Sequence, residues 1–219
     1  GVLEMKYMTA KEEDILTNGS YIKNGTVIDK LLKSLIVTPI DYNDIVIGDK
    51  NAIMIAARVL GYGKDYTFTL EDTEYTVDLT EIEDKELKEE YLLSKGQNEF
   101  EFMFPTIQKS VTFKILTHGD EKKIDNEVKG IKKAKKGESP EYSTRLKHMI
   151  LSVDGDTERK TIREFVDTQL LARDARALRQ YIKEIQPDVD LAFNLETEDG
   201  EKEVRVPIGI TFFWPDSEL

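Results

Sequence analysis

Hydrophobic and polar positions follow two periods along this chain, and the order in which the periods change predicts its elements. Near the start, Thr9 precedes an acidic first turn, Glu12-Glu13-Asp14. This predicts a helix capped by the threonine and favoured by the positive end of its dipole. A second helix starts at Thr26, with Asp29 three residues on, and places Ile28, Leu31, Leu32 and Leu35 on one face. Asp49 is positioned to cap a third, whose run Ala52-Ile53-Met54-Ile55-Ala56-Ala57 is apolar nearly all round. That pattern belongs to a helix buried on every side. Gly61-Tyr62-Gly63 ends it, because glycine takes the left-handed exit conformation without strain.

The period then falls to two. Tyr66-Thr67-Phe68-Thr69-Leu70 and Tyr75-Thr76-Val77-Asp78-Leu79 alternate around a polar turn, as a hairpin does. After an acidic stretch over 81–90, Phe100, Phe102 and Phe104 alternate with Glu99, Glu101 and Met103. Val111, Phe113 and Ile115 repeat the alternation beyond Pro105-Thr106-Ile107-Gln108, which predicts a second hairpin.

Helical spacing returns over 120–136, where Lys122, Lys123, Lys129, Lys132, Lys133, Lys135 and Lys136 surround a narrow stripe of Ile124, Val128 and Ile131. Past Gly137 and Pro140, a helix carries Leu146, Met149 and Ile150 on one face. Asp154-Gly155-Asp156 reads as a turn, and 158–171 places Ile162, Phe165, Val166 and Leu170 at helical spacing. Asp174 precedes the stripe Ala175, Leu178, Tyr181, Ile182 and Ile185, which Pro187 stops. The chain closes with Leu191-Ala192-Phe193-Asn194-Leu195, an Asp199-Gly200 turn, and alternating Val204, Val206, Ile208 and Ile210. Continued alternation puts Phe212 and Trp214 on one face of a last strand and Phe213 on the other. No period of 20–50 residues recurs, so a solenoid is not expected. The predicted class is α+β, with antiparallel hairpins separated by helices. Three stretches follow from it: a mainly helical 1–63, a β-hairpin part 64–117, and a helical 118–219 closed by a hairpin, all of which one compact domain could hold.

Composition narrows the chemistry. The 219 residues carry 43 acidic and 31 basic side chains, a formal charge of −12. Such a balance argues against general affinity for nucleic acid or anionic membrane, which needs concentrated Lys and Arg. The absence of cysteine removes disulfides, thiol nucleophiles and sulfur-ligated zinc. No stretch approaches the roughly 18–20 apolar residues of a membrane span. Gly1 in place of methionine and the strand-like Val2-Leu3-Glu4-Met5-Lys6-Tyr7 predict that the native chain begins earlier.

Catalytic signatures are sparse. Gly61-Tyr62-Gly63-Lys64 lacks the earlier glycine and the hydroxyl of a phosphate-binding loop, and no G-x-S-x-G elbow is present. Asp154, Asp156 and Glu158 match the start of a calcium loop, but Arg159 and Phe165 stand where glycine and a bidentate carboxylate are required. His118, with Asp120 two residues on, is the one candidate for an oriented imidazole, and a carboxylate- and His118-dependent enzyme is the first alternative reading. His148 sits within a helical stretch. Lys132 and Lys133 belong to five lysines within 129–136, enough to meet phosphates locally and to frame a second alternative, a weak nucleic-acid-binding module. No aromatic is interleaved for base stacking, so nucleic acid is not the expected partner. Phe212-Phe213-Trp214-Pro215 gathers the only tryptophan near the end, and aromatics of this size anchor cores and interfaces alike. Arg173, Asp174, Arg176 and Arg179 cluster on a helix whose apolar stripe is assigned to the core. They either build contacts with a partner through bidentate arginines or pair within the chain with Asp188 and Asp190.

Several of these residues also form an ordered set. Met8-Thr9-Ala10-Lys11-Glu12-Glu13-Asp14-Ile15-Leu16 is followed by Gly25-Thr26-Val27-Ile28-Asp29-Lys30-Leu31-Leu32, then by Gly48-Asp49-Lys50-Asn51-Ala52 and Arg58-Val59-Leu60-Gly61-Tyr62-Gly63. Thr144-Arg145-Leu146-Lys147-His148, Leu171-Ala172-Arg173-Asp174-Ala175-Arg176-Ala177-Leu178-Arg179, Pro187-Asp188-Val189-Asp190 and Phe212-Phe213-Trp214-Pro215 complete it. In this order the set resembles the baseplate protein family of T-even-like contractile-tailed phages, which includes hub subunits and hub-assembly proteins. The resemblance covers nearly the whole chain, from about residue 5 to 215. It implies a structural or assembly role in a tail baseplate or hub, by protein–protein contacts and without catalysis. The implied place is the host cytoplasm during assembly, with retention in the virion tail as a further expectation. Many relatives in that family carry Cys-x-x-Cys pairs in the two hairpins near 66–79 and 193–205, where this chain has Tyr66-Thr67-Phe68-Thr69-Leu70 and Asn194-Leu195-Glu196-Thr197-Glu198. A zinc-ribbon role is therefore not expected here, nor any metal or cofactor. The expected partners are other baseplate or hub proteins, with self-association as a second possibility and no membrane. The candidate partner-binding residues are Arg173, Asp174, Arg176, Arg179, Phe213, Trp214, Lys132 and Lys133.

Overall fold

The computed structural model describes residues 2–88, 91, 97–135, 139–197 and 200–213. Its first half runs α1 (Ala10–Leu16), α2 (Gly19–Lys23), α3 (Val27–Leu35), α4 (Ile47–Tyr62), β1 (Asp65–Leu70), β2 (Thr73–Asp78), β3 (Phe100–Met103) and β4 (Ser110–Phe113). Then come α5 (His118–Ala134), α6 (Glu141–Met149), β5 (Ile150–Val153), α7 (Arg159–Glu164), α8 (Ala172–Ile185), β6 (Ala192–Thr197) and β7 (Gly200–Arg205). Among the described residues the strands form three small antiparallel sheets, and the chain is α+β. Among the described residues no helix is long and apolar enough to cross a membrane.

Contacts divide the chain into two units that cut across the three sequence stretches. The first unit is Gly1–Ile40 with Gly48–Lys85 and Asp188–Leu219, and the second is Asp41–Ile47 with Glu86–Pro187. The closing hairpin joins the first unit through backbone pairing that sequence order does not reveal. Asp84 bridges Val189, Lys85 N–H donates to the Asp188 carbonyl at 2.9 Å, and Asp190 N–H donates to the Glu83 carbonyl at 2.9 Å.

In the first unit, β1 pairs with β2 so that Tyr66 faces Val77 and Phe68 faces Tyr75. β6 pairs with β7, with Phe193 opposite Val204. Leu31, Leu32 and Leu35 of α3 are fully buried, as its stripe predicts. In α4, Ile53, Ile55 and Ala57 are buried while Ala52, Met54 and Ala56 are only partly so, which corrects the expectation of burial on every side. Asp49 does not cap this helix but lies in its first turn, where burial pushes its carboxyl up. Thr26 stands at the cap of α3 without a side-chain cap bond, and Asp29 instead holds Lys50 at 2.9 Å. Gly63, at φ +85°, makes the predicted exit from α4. Its carbonyl accepts from the buried Arg58, whose guanidinium also lies over the Tyr62 and Tyr66 rings at 5.2 and 5.8 Å.

In the second unit, β4 lies between β3 and β5. Phe100 faces Phe113 and Phe102 faces Val111, while Val111 faces Val153 across the other ladder. Ile150 therefore belongs to a third strand rather than to the helical face expected for it, because α6 stops at Met149 and the chain extends at once. The sheet's apolar face meets Leu146, Ile162, Phe165, Leu178 and Ile185 from the helices. Tyr181 packs into the same cluster, 5.3 Å from Phe102 and 6.1 Å from Phe113 between ring centres. Segment 158–171 is helical but widens into a π-turn over Phe165–Gln169, and this turn keeps Phe165 in the core. α5 packs on α6 through a smaller cluster of Leu116, Ile124 and Val128.

Candidate functional site

Helix α8 separates two faces cleanly. Ala175, Leu178 and Ile185 are buried against the sheet, with Tyr181 and Ile182 packed beside them. At 3.6 residues per turn, Arg173, Arg176 and Arg179 fall within about a third of the opposite circumference, and all three are exposed. Among the described residues Arg173 and Arg176 have no ion-pair or hydrogen-bond partner. The Arg179 guanidinium lies 4.7 Å above the Tyr142 ring of α6. Tyr142 is anchored by donating its hydroxyl to the Ala175 carbonyl at 3.2 Å, yet remains 43% exposed. At the helix cap Leu171 is 40% exposed. Sequence reasoning missed both. Tyr142 stands four residues before Leu146 and so shares its face, which reads as core; only its exposure shows that it flanks the arginines.

Asp174 lies apart from its arginine neighbours. Its side chain is fully buried, and one oxygen accepts the Thr106 N–H at 2.8 Å, tying the β3–β4 turn to α8. Among the described residues its other oxygen has no hydrogen-bond partner. Asp174 is thus part of the fold under the face rather than of the face. Asp188 and Asp190, the alternative partners for the arginines, make their bonds within the first unit: Asp188 accepts from Asn51 at 2.9 Å and Asp190 from Ala192 N–H at 3.1 Å.

The other candidates scatter. Phe213 does not lie on a strand. Pro207 and Gly209 interrupt the alternation, and Ile210–Phe213 forms a 3-10 turn that leaves Phe212 and Phe213 both fully buried. Their rings meet edge to face at 5.2 Å, and Phe212 meets Tyr66 at 4.8 Å. Trp214 lies outside the described residues. Lys132 and Lys133 stand exposed in the last turn of α5, with Lys132 3.3 Å from Glu141.

His118 opens α5 and is 5% exposed, its ring 4.7 Å from that of Tyr42. Asp120, the carboxylate expected to orient it, turns instead to the Thr117 cap and to Lys114 at 2.7 Å. Burial alone would raise the Asp120 carboxyl, but hydrogen bonds from Lys114 and Thr117 hold it below the usual range. The carboxylates of the calcium-like stretch also serve local backbone. Asp154 accepts Ser110 N–H at 2.9 Å, while Asp156 accepts Glu158 N–H and the Thr161 hydroxyl, both at 2.8 Å. Among the described residues no group of three or more His, Asp or Glu side chains is arranged to hold a metal ion. A groove of about 620 Å³ beside the start of α5, lined by Asp41, Asp44, Glu99, Lys114, Lys122 and Lys123 among others, mixes both charges without a preferred sign.

No protein-family model, curated protein or solved structure matches the chain.

Proposed function

We propose that this chain is a structural or assembly component of the baseplate or central hub of a contractile phage tail, acting through protein–protein contacts without catalysis. The ordered motifs from Met8 to Pro215 supply the baseplate reading. The contact reading rests on the α8 face, where exposed Arg173 and Arg176 lack acidic partners among the described residues and Arg179 is poised over Tyr142. Arginine's planar fork pairs bidentately with carboxylates, and arginine and tyrosine dominate interface hot spots. Such a face suits an acidic surface on another hub protein. The chain then acts in the host cytoplasm during assembly, and its presence in purified tails marks a retained component rather than a transient factor.

Co-expression with candidate hub proteins, followed by native mass measurement, tests the reading. Combining Arg173→Glu with Arg176→Glu is expected to weaken capture by about tenfold or more while leaving the free energy of unfolding within about 0.5 kcal/mol of the parent. A chain that stays monomeric and captures no hub protein overturns the assembly role. Undiminished capture by the double variant overturns the assignment of the face.

A further inference from the structure

Three helices of the second unit close around a pocket of about 210 Å³ on which the docking reading does not draw. α5 contributes Glu127, α6 contributes Lys147 and His148, and α7 contributes Arg159 and Arg163. Among the described residues Glu127 is the one carboxylate lining it, and it is already engaged, with its Oε2 2.8 Å from His148 Nε2. Arg159 donates to the Lys147 carbonyl at 3.0 Å, which orients its guanidinium, and the Lys147 ammonium meets Asp167 at 2.6 Å. Arg163 stands one turn beyond Arg159 on the same side of α7, exposed and without a partner among the described residues.

The lining therefore carries more positive than negative charge, and its cations converge from separate elements on a concave space. This differs from α8, whose arginines line a convex helix and suit an extended acidic surface. Convergent guanidinium forks match the oxygens of a tetrahedral oxyanion, and charge-assisted bonds of this kind are roughly twice as strong as neutral ones. The volume lies below the roughly 300 Å³ at which pockets for drug-sized ligands begin, which favours one anionic group over a whole nucleotide.

We infer that this pocket binds a phosphate group, with Arg159 and Arg163 as its donors, while Lys147 and His148, held by Asp167 and Glu127, line its wall. The group is either free phosphate or the head of a phosphate monoester, since both present the same oxygens. Calorimetric titration of the full chain in chloride buffer with inorganic phosphate, and separately with phosphoserine, tests this. Saturable millimolar binding of either probe is expected. Tighter binding of phosphoserine assigns a monoester, and equal or weaker binding assigns the free anion. Arg163→Gln and Arg159→Gln should each weaken the binding by about tenfold or more, whereas Arg176→Gln on α8 should leave it unchanged. Both pocket arginines are exposed, so these variants are expected to fold, and circular dichroism checks that they do. Amide shifts on titration should centre on 147–148 and 159–163. Absence of saturable binding to both probes, full binding by Arg163→Gln, or an equal loss in Arg176→Gln overturns the inference. Partner capture is read in a separate assay, so either reading can fail alone.

Discussion

The first unit, 110 residues long, holds 23 acidic side chains against 11 basic; the second, of 109 residues, holds 20 of each. The whole net charge of −12 therefore resides in one unit. In the first unit the excess is spread over hairpin surfaces, where Glu71, Asp72, Glu74, Glu196, Glu201 and Glu203 are all exposed and Lys202 is tied to Glu71 at 2.9 Å. In the second unit the balanced charges are sorted by face, with arginines on α8, lysines on α5 and the phosphate-sized pocket between α5, α6 and α7. A whole-chain charge that argues against anionic ligands describes the first unit and says nothing of the second. Fields act over about 10 Å at ordinary ionic strength, so local sorting decides what a surface attracts.

The largest expected effect tests whether the two units are also separate in stability. Each has its own buried aromatics: Phe212 and Phe213 in the first, Phe104, Phe113 and Phe165 in the second. Phe213→Ala should cost about 3–5 kcal/mol, and Leu178→Ala about 2–5 kcal/mol. By hydrogen exchange, Phe213→Ala should strip protection from β1, β2, β6 and β7 while sparing β3, β4 and β5, and Leu178→Ala should do the reverse. Equal loss across both units in either variant would show one cooperative block and break the comparison.

A smaller effect concerns how a buried carboxylate is held. In the first unit Glu12 is fully buried and accepts from Thr9 N–H at 3.0 Å, the Thr9 hydroxyl at 2.7 Å and Lys6 at 2.8 Å. Burial pushes its carboxyl up, but these bonds outweigh it and bring the pKa from 4.5 down to about 2. The folded value lies below the unfolded one, so the stabilisation is complete above about 4.5 and disappears as pH falls toward 2. Glu12→Gln should cost about 1–2 kcal/mol at pH 7, and urea titrations at successively lower pH should show the two proteins converging across that window. A cost independent of pH would mean that shape rather than charge holds α1.

What the sequence discloses follows the range of the interactions. The hairpins of β1–β2, β3–β4 and β6–β7 are legible because period two and turn residues are local signals. β5 is not, since Ile150-Leu151-Ser152-Val153 follows α6 without a break and its partner β4 lies about forty residues back. The turn over Ile210–Phe213 had a signal in Pro207 and Gly209, which end a strand more strongly than alternation prolongs it. On α8 the spacing of Arg173, Arg176 and Arg179 discloses the face. The inward turn of Asp174 does not show, because an acid in a first turn normally faces water near the positive end of the dipole. Convergence of Lys147, His148, Arg159 and Arg163 is tertiary, and the chain order of these residues carries no trace of it.

The finest comparison is between two tight turns, one in each unit. Glu71 and Asp72 join β1 to β2 with φ of +50° and +65°, and Asp154 and Gly155 turn back Val153 onto Asp156 with φ of +49° and +83°. Positive φ at both central positions defines the mirror-image turn that suits strand twist, and Asp-Gly is among its favoured sequences. Glu71-Asp72 thus bears a left-handed cost at two positions and Asp154-Gly155 at only one. Asp154 also has an offsetting bond, its carboxylate accepting Ser110 N–H at 2.9 Å, whereas Asp72 makes no hydrogen bond or ion pair among the described residues. Asp72→Gly should therefore stabilise the first unit by about 0.5–1 kcal/mol, the relieved strain exceeding the added freedom of the unfolded chain. Asp154→Gly relieves the same strain but removes the bond to Ser110, and should be neutral or destabilising by up to about 1 kcal/mol. Chemical denaturation of the two variants side by side decides the matter. Gains of equal size would show that backbone strain alone governs both turns and that the carboxylate of Asp154 contributes nothing.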